Sequence, residues 1–162
     1  MTKSGCSAGS EEGDVSNLKD DMYDDFADYL TEVVRYYHDE LGISFDYLEP
    51  FNEPYSTWWT ALGGQEGCYF SHANQEKMIR ELHTVMEQKD MFSYCSITAM
   101  DANSLGEGRT GFSKYLQTGD ILDKLSKINV HSYFGNDNDR KAIAKLGYDN
   151  AMKVWQSESG PL

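Results

Sequence analysis

Ile43-Ser44-Phe45-Asp46-Tyr47-Leu48-Glu49-Pro50-Phe51-Asn52-Glu53-Pro54 is the stretch on which the fold turns. Its first half follows Gly42 and is short, apolar and rich in β-formers, the composition of a buried strand. Its second half cannot continue that strand: prolines flank the Asn-Glu pair, and proline has no N–H to donate to a ladder. A carboxylate, Glu53, is therefore left at the strand's mouth. Near the other end, Lys153-Val154-Trp155-Gln156-Ser157-Glu158-Ser159-Gly160-Pro161 repeats the plan, an apolar strand start that closes on a glutamate and is cut off by Gly-Pro. Two strands ending in this way point to one catalytic pair.

Between and around these stretches, helices and strands alternate. Phe26, Leu30, Val33, Val34, Tyr37 and Leu41 recur at three- and four-residue steps, which predicts an amphipathic helix from about Asp20 to Leu41 with acids in its first turns. Met78, Ile79, Leu82, Val85 and Met86 predict a second helix over His72 to Lys89, capped by Ser71. Tyr94 to Met100 reads as a strand ending at Asp101, and Ile128 to Tyr133 as another. Short helical pieces are expected at Phe112–Thr118 and Ile121–Ser126, and a further helix at Asp139–Tyr148. Strict alternation means parallel strands joined by crossover helices, with the informative loops at the strands' C-terminal ends.

Composition narrows the partners. At 162 residues, with 40% hydrophobic and 13% aromatic residues, the chain has enough apolar material for one core. Twenty-seven acids against fourteen bases give a net charge of -13, which argues against nucleic acid and against an anionic membrane. A neutral ligand with flat apolar faces suits the aromatic content better. No apolar run reaches the ~20 residues of a membrane span, and Met1 to Cys6 lacks the apolar core of a signal peptide. Cys6, Cys68 and Cys95 have no metal-ligand spacing. Cys6 and Cys68 lie in Gly/Ser-rich loops and are a candidate disulfide in an oxidising compartment; the alternative is free thiols, with Cys95 inside a strand. Asn136-Asp137-Asn138-Asp139 lacks the spaced ligands and closing Glu of a calcium loop, so no metal and no cofactor is expected.

Two carboxylates can cleave a glycosidic bond when one acts as an acid and the other is ionised. The prolines and the aromatic loop are expected to desolvate Glu53 and make it the acid, leaving Glu158 as the carboxylate. Asn52 is placed to contact a sugar hydroxyl. His131 and Tyr133, two apart on a strand, project to one side, where they orient the carboxylates or bind hydroxyls. Trp58 and Trp59 are candidates to stack on a sugar ring, whereas Trp155, out of phase with Glu158, is expected in the core. Each residue has a plainer reading. Asn-Glu-Pro alone is more often turn punctuation than a site, a single strand histidine is more often structural, and Glu49 and Glu66 are further acids near the same mouth. A different α/β enzyme built on Asp101 and His131 is a third reading.

Taken together, Met1 to Cys6, Glu49 to Pro54, Trp59 with Gly64-Gln65-Glu66-Gly67-Cys68, Asn129-Val130-His131-Ser132-Tyr133 and Trp155 to Glu158 resemble glycoside hydrolase family 30, in particular its endo-β-1,6-galactanase-like members. The resemblance implies a (β/α)8 TIM barrel that hydrolyses β-linked polysaccharide or oligosaccharide with retention, and secretion of the parent proteins. It carries the acid/base onto Glu53 at the end of barrel strand four and the nucleophile onto Glu158 at the end of strand seven. Asn52 takes the contact to the 2-hydroxyl, and Tyr133 becomes the nucleophile's neighbour. Since such a barrel takes ~250 residues, residues 1–162 are expected to form a single incomplete catalytic barrel domain holding strands four to seven. Its open sheet edges are a route to self-association, and a catalytically inactive glycan-binding remnant is the alternative.

Overall fold

The computed structural model describes residues 1–160. Four parallel strands, β1 (Tyr47–Leu48), β2 (Ser96–Ser104), β3 (Lys127–Phe134) and β4 (Lys153–Glu158), form one sheet in the order β1-β2-β3-β4. Each is preceded by a helix: α1 (Tyr23–Leu41), α2 (His72–Gln88), α3 (Leu105–Tyr115) and α4 (Asp137–Asp149). Sequential neighbours, all parallel and all joined through helices, are the build of a barrel wall rather than of an open doubly wound sheet, whose strand order reverses.

The core lies between the sheet and its helices. Met78, Ile79, Leu82 and Met86 of α2, Phe112 and Tyr115 of α3 and Ile143 of α4 share one buried cluster with Ile97, Ala99 and Met100 of β2 and Ile128 and Val130 of β3. Ser71 caps α2 as its sequence predicts, accepting from the Asn74 N–H at 3.2 Å. Asn136 caps α4 by accepting from the N–H groups of Asn138 and Asp139, and Asp139 lies 3.5 Å from the Arg109 guanidinium of α3. Among the described residues no helix is long and apolar enough to cross a membrane.

Three sequence expectations change. Residues 43–48 are not a buried strand: only Tyr47 and Leu48 pair with β2, and Ile43, Phe45 and Tyr47 are exposed. On α1 the buried stripe is Tyr23, Ala27, Thr31 and Val34, leaving Val33, Tyr37 and Leu41 exposed. The helix carries two apolar stripes, and the one that meets α2 is hidden in the sequence by its small and polar members, Ala27 and Thr31. Finally, α3 begins at Leu105, seven residues before the helical piece expected at Phe112, and β2 runs on through Asp101 to Ser104. Gly106, Gly108 and Gly111 mask the helix because glycine reads as loop. Gly108 and Gly111 serve close packing instead: a Cβ on Gly108 would lie 2.3 Å from Val130 Cγ1. Cys6, Cys68 and Cys95 are all free thiols.

Candidate functional site

The site grows from two interruptions in the strand ladders. Parallel strands present alternate residues to one face, so Lys127, Asn129, His131 and Tyr133 of β3 share the face turned away from the helices, and Ile128 and Val130 face the core. In β4, Val130 pairs with Gln156 but His131 pairs with Glu158, so Ser157 is an extra residue. A bulge of this kind re-aims the side chain that follows it, and Glu158 swings onto the face that carries His131. The same shift overturns the expectation for Trp155. It lies on the inner face as well, half exposed, 5.4 Å from Tyr47 with the rings edge to face. Between them sits the Lys127 ammonium, 3.1 Å from the Tyr47 ring centre and 2.9 Å from that of Trp155. Lys127 is buried without a hydrogen-bond partner, and the two π faces take its charge.

A second bulge places Asp101 between Met100, paired with Asn129, and Ala102, paired with Val130. Asp101 and Glu53 both adopt left-handed backbone, φ 49° and 47°, a strain that persists only where surrounding contacts enforce it. The enforcing contacts are present. Glu53 N–H donates to the Asp101 carbonyl at 2.8 Å, and the indole N–H of Trp59 donates to the Glu53 carbonyl at 3.0 Å.

Around these backbones the polar side chains converge on His131, which is wholly buried. Its Nδ1 lies 2.9 Å from Glu53 Oε1 and 3.6 Å from Glu158 Oε2, and its Nε2 lies 3.7 Å from Asp101 Oδ1. The Asn103 amide donates to Glu53 Oε1 at 3.1 Å, and the Tyr133 hydroxyl donates to Glu158 Oε2 at 3.2 Å. The Glu53 side chain is 12% exposed and that of Glu158 48%. One nitrogen within 2.9 Å of one oxygen and 3.6 Å of the other limits the gap between the carboxylates, Oε1 to Oε2, to at most 6.5 Å, the two distances laid end to end.

Flanking acids feel the crowding. Burial, then repulsion from Asp101, pushes the Glu49 carboxyl well above the usual range, even though Glu49 accepts from Phe51 N–H and from the Asn129 amide. Burial likewise raises Asp101, with the Ser157 hydroxyl bond and His131 opposing the rise. Glu107, on the first turn of α3, is raised by burial and by the charge of Glu53.

The structure thus gathers four of the residues expected from sequence: Glu53, His131, Tyr133 and Glu158. Asn52 is exposed and lines a neighbouring cavity of about 400 Å³ with Leu18, Phe26, Phe51 and Glu66. Trp58 is half exposed, but Trp59 is 2% exposed and does not offer a stacking surface. Its indole is held at Glu53, and Gly67 lies so close that a Cβ there would come within 2.4 Å of the ring. His131 has no exposed surface and lies against the carboxylates of Glu53 and Glu158. Asn103 and Ser157 are missed by sequence reasoning because the pattern ends β2 at Asp101 and gives no sign of the bulge in β4. Ser104-Leu105-Gly106-Glu107 is the available signal: it has the capping-box spacing, and Ser104 does accept from Glu107 N–H at 3.2 Å.

Fold and site define a segment of (β/α)8 barrel with a carboxylate pair at the C-terminal rim of its strands. The model for O-glycosyl hydrolase family 30 matches residues 1–162, and the chain belongs to that family. It is 28% identical to an endo-beta-1,6-galactanase of Hypocrea rufa, over 93% of this chain and 31% of that protein. It is 24% identical to an exo-beta-1,6-galactobiohydrolase of Bifidobacterium longum, over 98% of this chain and 13% of the relative. Among solved structures, a conserved exported protein from Bacteroides fragilis superposes with a TM-score of 0.81 at 22% identity, over 97% of this chain and 36% of that one. An endo-beta1,6-glucanase superposes with a TM-score of 0.76 at 19% identity, over 96% and 32%. The chain therefore spans about a third or less of the length of these relatives.

Proposed function

We propose that residues 1–162 form the part of a catalytic barrel domain that carries the chemistry of a retaining glycoside hydrolase acting on β-linked glycans of the β-1,6-galactan class. The observation that supports this best is the closeness of both glutamates to His131 Nδ1, Glu53 within hydrogen-bond reach and Glu158 just beyond it. The 6.5 Å ceiling reaches only the lower edge of the ~6.5–9.5 Å separation that leaves room for an inverting water, and it accommodates the ~5–5.5 Å of a double displacement.

In this reading Glu158, the more exposed carboxylate, attacks the anomeric carbon while Glu53 gives its proton to the departing glycosidic oxygen. A glycosyl ester on Glu158 results. Glu53, now ionised, takes a proton from water, and the water oxygen displaces Glu158 from the sugar. The Tyr133 hydroxyl fixes the lone-pair direction of Glu158, Asn103 and His131 fix Glu53, and Asn52 and Trp58 contact the sugar beside them. The substrate class follows the named activities of the relatives, and export follows the family resemblance and the exported structural relative.

The test is a pair of variants assayed on β-1,6-galactan and on an aryl glycoside with a good leaving group. Glu158→Gln should abolish turnover of both. Glu53→Gln should lose the glycan but retain the aryl substrate, whose departure needs no proton. Turnover of both substrates by both variants at the parent rate would refute the assignment.

A further inference from the structure

The segment that precedes α1 lies along the loop that follows Glu53, and the two run in opposite directions. Gly13 sits too close to the Thr57 carbonyl for a Cβ to fit, Ala61 N–H donates to the Ser10 carbonyl at 2.7 Å, and a Cβ on Gly63 would stand 3.7 Å from that of Ala8. Ser7 then meets two residues at once: its carbonyl accepts from Gly67 N–H at 3.0 Å, and its hydroxyl donates to Glu66 Oε1 at 3.1 Å. The isolated bridge of Ser10 with Thr60 is locally parallel, but along the whole stretch residue numbers fall on one side as they rise on the other. The next pair in that order is Cys6 and Cys68. Oppositely running backbones bring facing Cα atoms to about 4.5–5.5 Å, inside the ~4.4–6.8 Å that a disulfide spans. Asn17, 1% exposed, ties the two cysteines together: its side-chain amide donates to the Cys6 carbonyl at 2.8 Å and its backbone N–H to Cys68 Sγ at 3.1 Å.

We infer that Cys6 and Cys68 are a redox pair that closes to a disulfide, strapping the segment before α1 onto the loop behind Glu53. Cys6 is exposed and Cys68 half-buried, so Cys6 meets the oxidant first. Its thiolate attacks one sulfur of a disulfide-bearing oxidant, either a thiol–disulfide exchange protein or oxidised glutathione, and expels a thiolate. The Cys68 thiolate then attacks Cys6 Sγ and expels the second. The two cysteines lose two electrons and two protons, and the oxidant is reduced to two thiols. Closure gives up the S–H that Cys68 donates to the Tyr69 carbonyl at 3.3 Å, a weak bond. Cys95 takes no part: it is 1% exposed, and burial pushes its thiol up to about 11.

The strap bears on the site through Trp59. Gly9 packs on the Trp59 carbonyl, Gly67, beside Cys68, packs on its ring, and the indole N–H holds the Glu53 carbonyl at 3.0 Å. Oxidation therefore fastens the loop that keeps Glu53 in left-handed backbone.

The test equilibrates the folded protein in reduced and oxidised glutathione, blocks accessible thiols with N-ethylmaleimide and maps the cysteines by mass spectrometry. The expected product is two hydrogens lighter, carries one cross-link joining Cys6 to Cys68, and exposes Cys95 to the reagent only after unfolding. Cys68→Ser should trap Cys6 as a mixed disulfide with glutathione, and Cys6→Ser should abolish the cross-link. The oxidised parent should melt roughly 4–16 °C above the reduced one. Cys6 and Cys68 both still open to maleimide at a fully oxidising ratio overturn the inference, as does a cross-link to Cys95. A melting point that stays or falls on oxidation also overturns it, since a pair already in register closes without strain. The parent alone decides if a variant does not fold. Thiol mapping uses no substrate, so a protein that forms the bond but turns over no glycan counts against the hydrolase reading and leaves the pair standing.

Discussion

Replacing Gly108 by alanine tests whether the close approach of α3 to β3 holds the site in place. The added Cβ would stand 2.3 Å from Val130 Cγ1 and 3.2 Å from Ile143 Cδ1. Ordinary carbon contacts lie near 3.5–4.0 Å, so helix or strand must yield by more than about 1 Å. Val130 cannot swing aside easily, since a β-branched side chain has little freedom at χ1. Overpacking of this kind costs about 1–3 kcal/mol, and alanine's better helix propensity returns about 0.8–1 kcal/mol, so a net loss of roughly 0–2 kcal/mol is expected. Because the net is small, the informative experiment is a double-mutant cycle by urea denaturation with Val130→Ala, which removes the methyl that is struck. The two changes together should cost about 1–3 kcal/mol less than their sum. Additivity within about 0.5 kcal/mol would refute the reasoning. The site offers a second readout. The Val130 carbonyl accepts from Ser157 Oγ at 3.3 Å, and His131 is the next residue, so displacing β3 moves the imidazole relative to both glutamates. A misplacement near 1 Å can cost about 100-fold in rate, and Val130→Ala should restore part of it.

Two further perturbations read the electrostatics through stability. Burial raises Glu49 in the folded state, so the fold holds a proton there that the unfolded chain releases above about pH 4.3, and stability must fall as pH rises from there toward the folded value. Glu49→Gln removes that slope: in urea titrations between pH 4 and 8 the variant should gain on the parent as pH rises, and a parallel pair of curves would refute it. Asp120 behaves oppositely, because the forked hydrogen bonds from Arg80 lower it to about 2. Its contribution is present above about pH 3.9 and is lost as pH falls through about 2, so Asp120→Asn should differ from the parent at pH 6 and converge with it in strong acid.

Much of this architecture is legible because alternation of apolar periods leaves few topologies, and because Pro50, Pro54 and Gly160-Pro161 mark strand ends without ambiguity. The pairing of Glu53 with Glu158 comes from the likeness of those endings. What stays hidden is anything that depends on an irregularity. A bulge has no compositional signature in the β4 stretch, so simple alternation puts Trp155 and Glu158 on opposite faces, although Ser157 brings them to the same one. Gly106, Gly108 and Gly111 conceal a helix whose purpose is to lie close to a sheet, and with it the strand end that carries Asn103. Trp59 reads as a ligand platform because sequence cannot tell an exposed indole from one wrapped by glycine. Residues 43–45 stand outside the β1–β2 ladder, which Asp46 joins only through its carbonyl, and no local pattern could reveal this.

The eight residues of β3 serve two masters. Lys127, Asn129, His131 and Tyr133 rise along one side as cation, amide, imidazole and phenol, while Ile128 and Val130 anchor the other side in the core. Slipping the whole of β3 by one residue would exchange the two sets, presenting isoleucine and valine to the glutamates and driving a lysine and a histidine beneath α3. Length in this strand is therefore far less negotiable than identity: a point change in β3 is graded, but a frame change of one position dismantles chemistry and core at once.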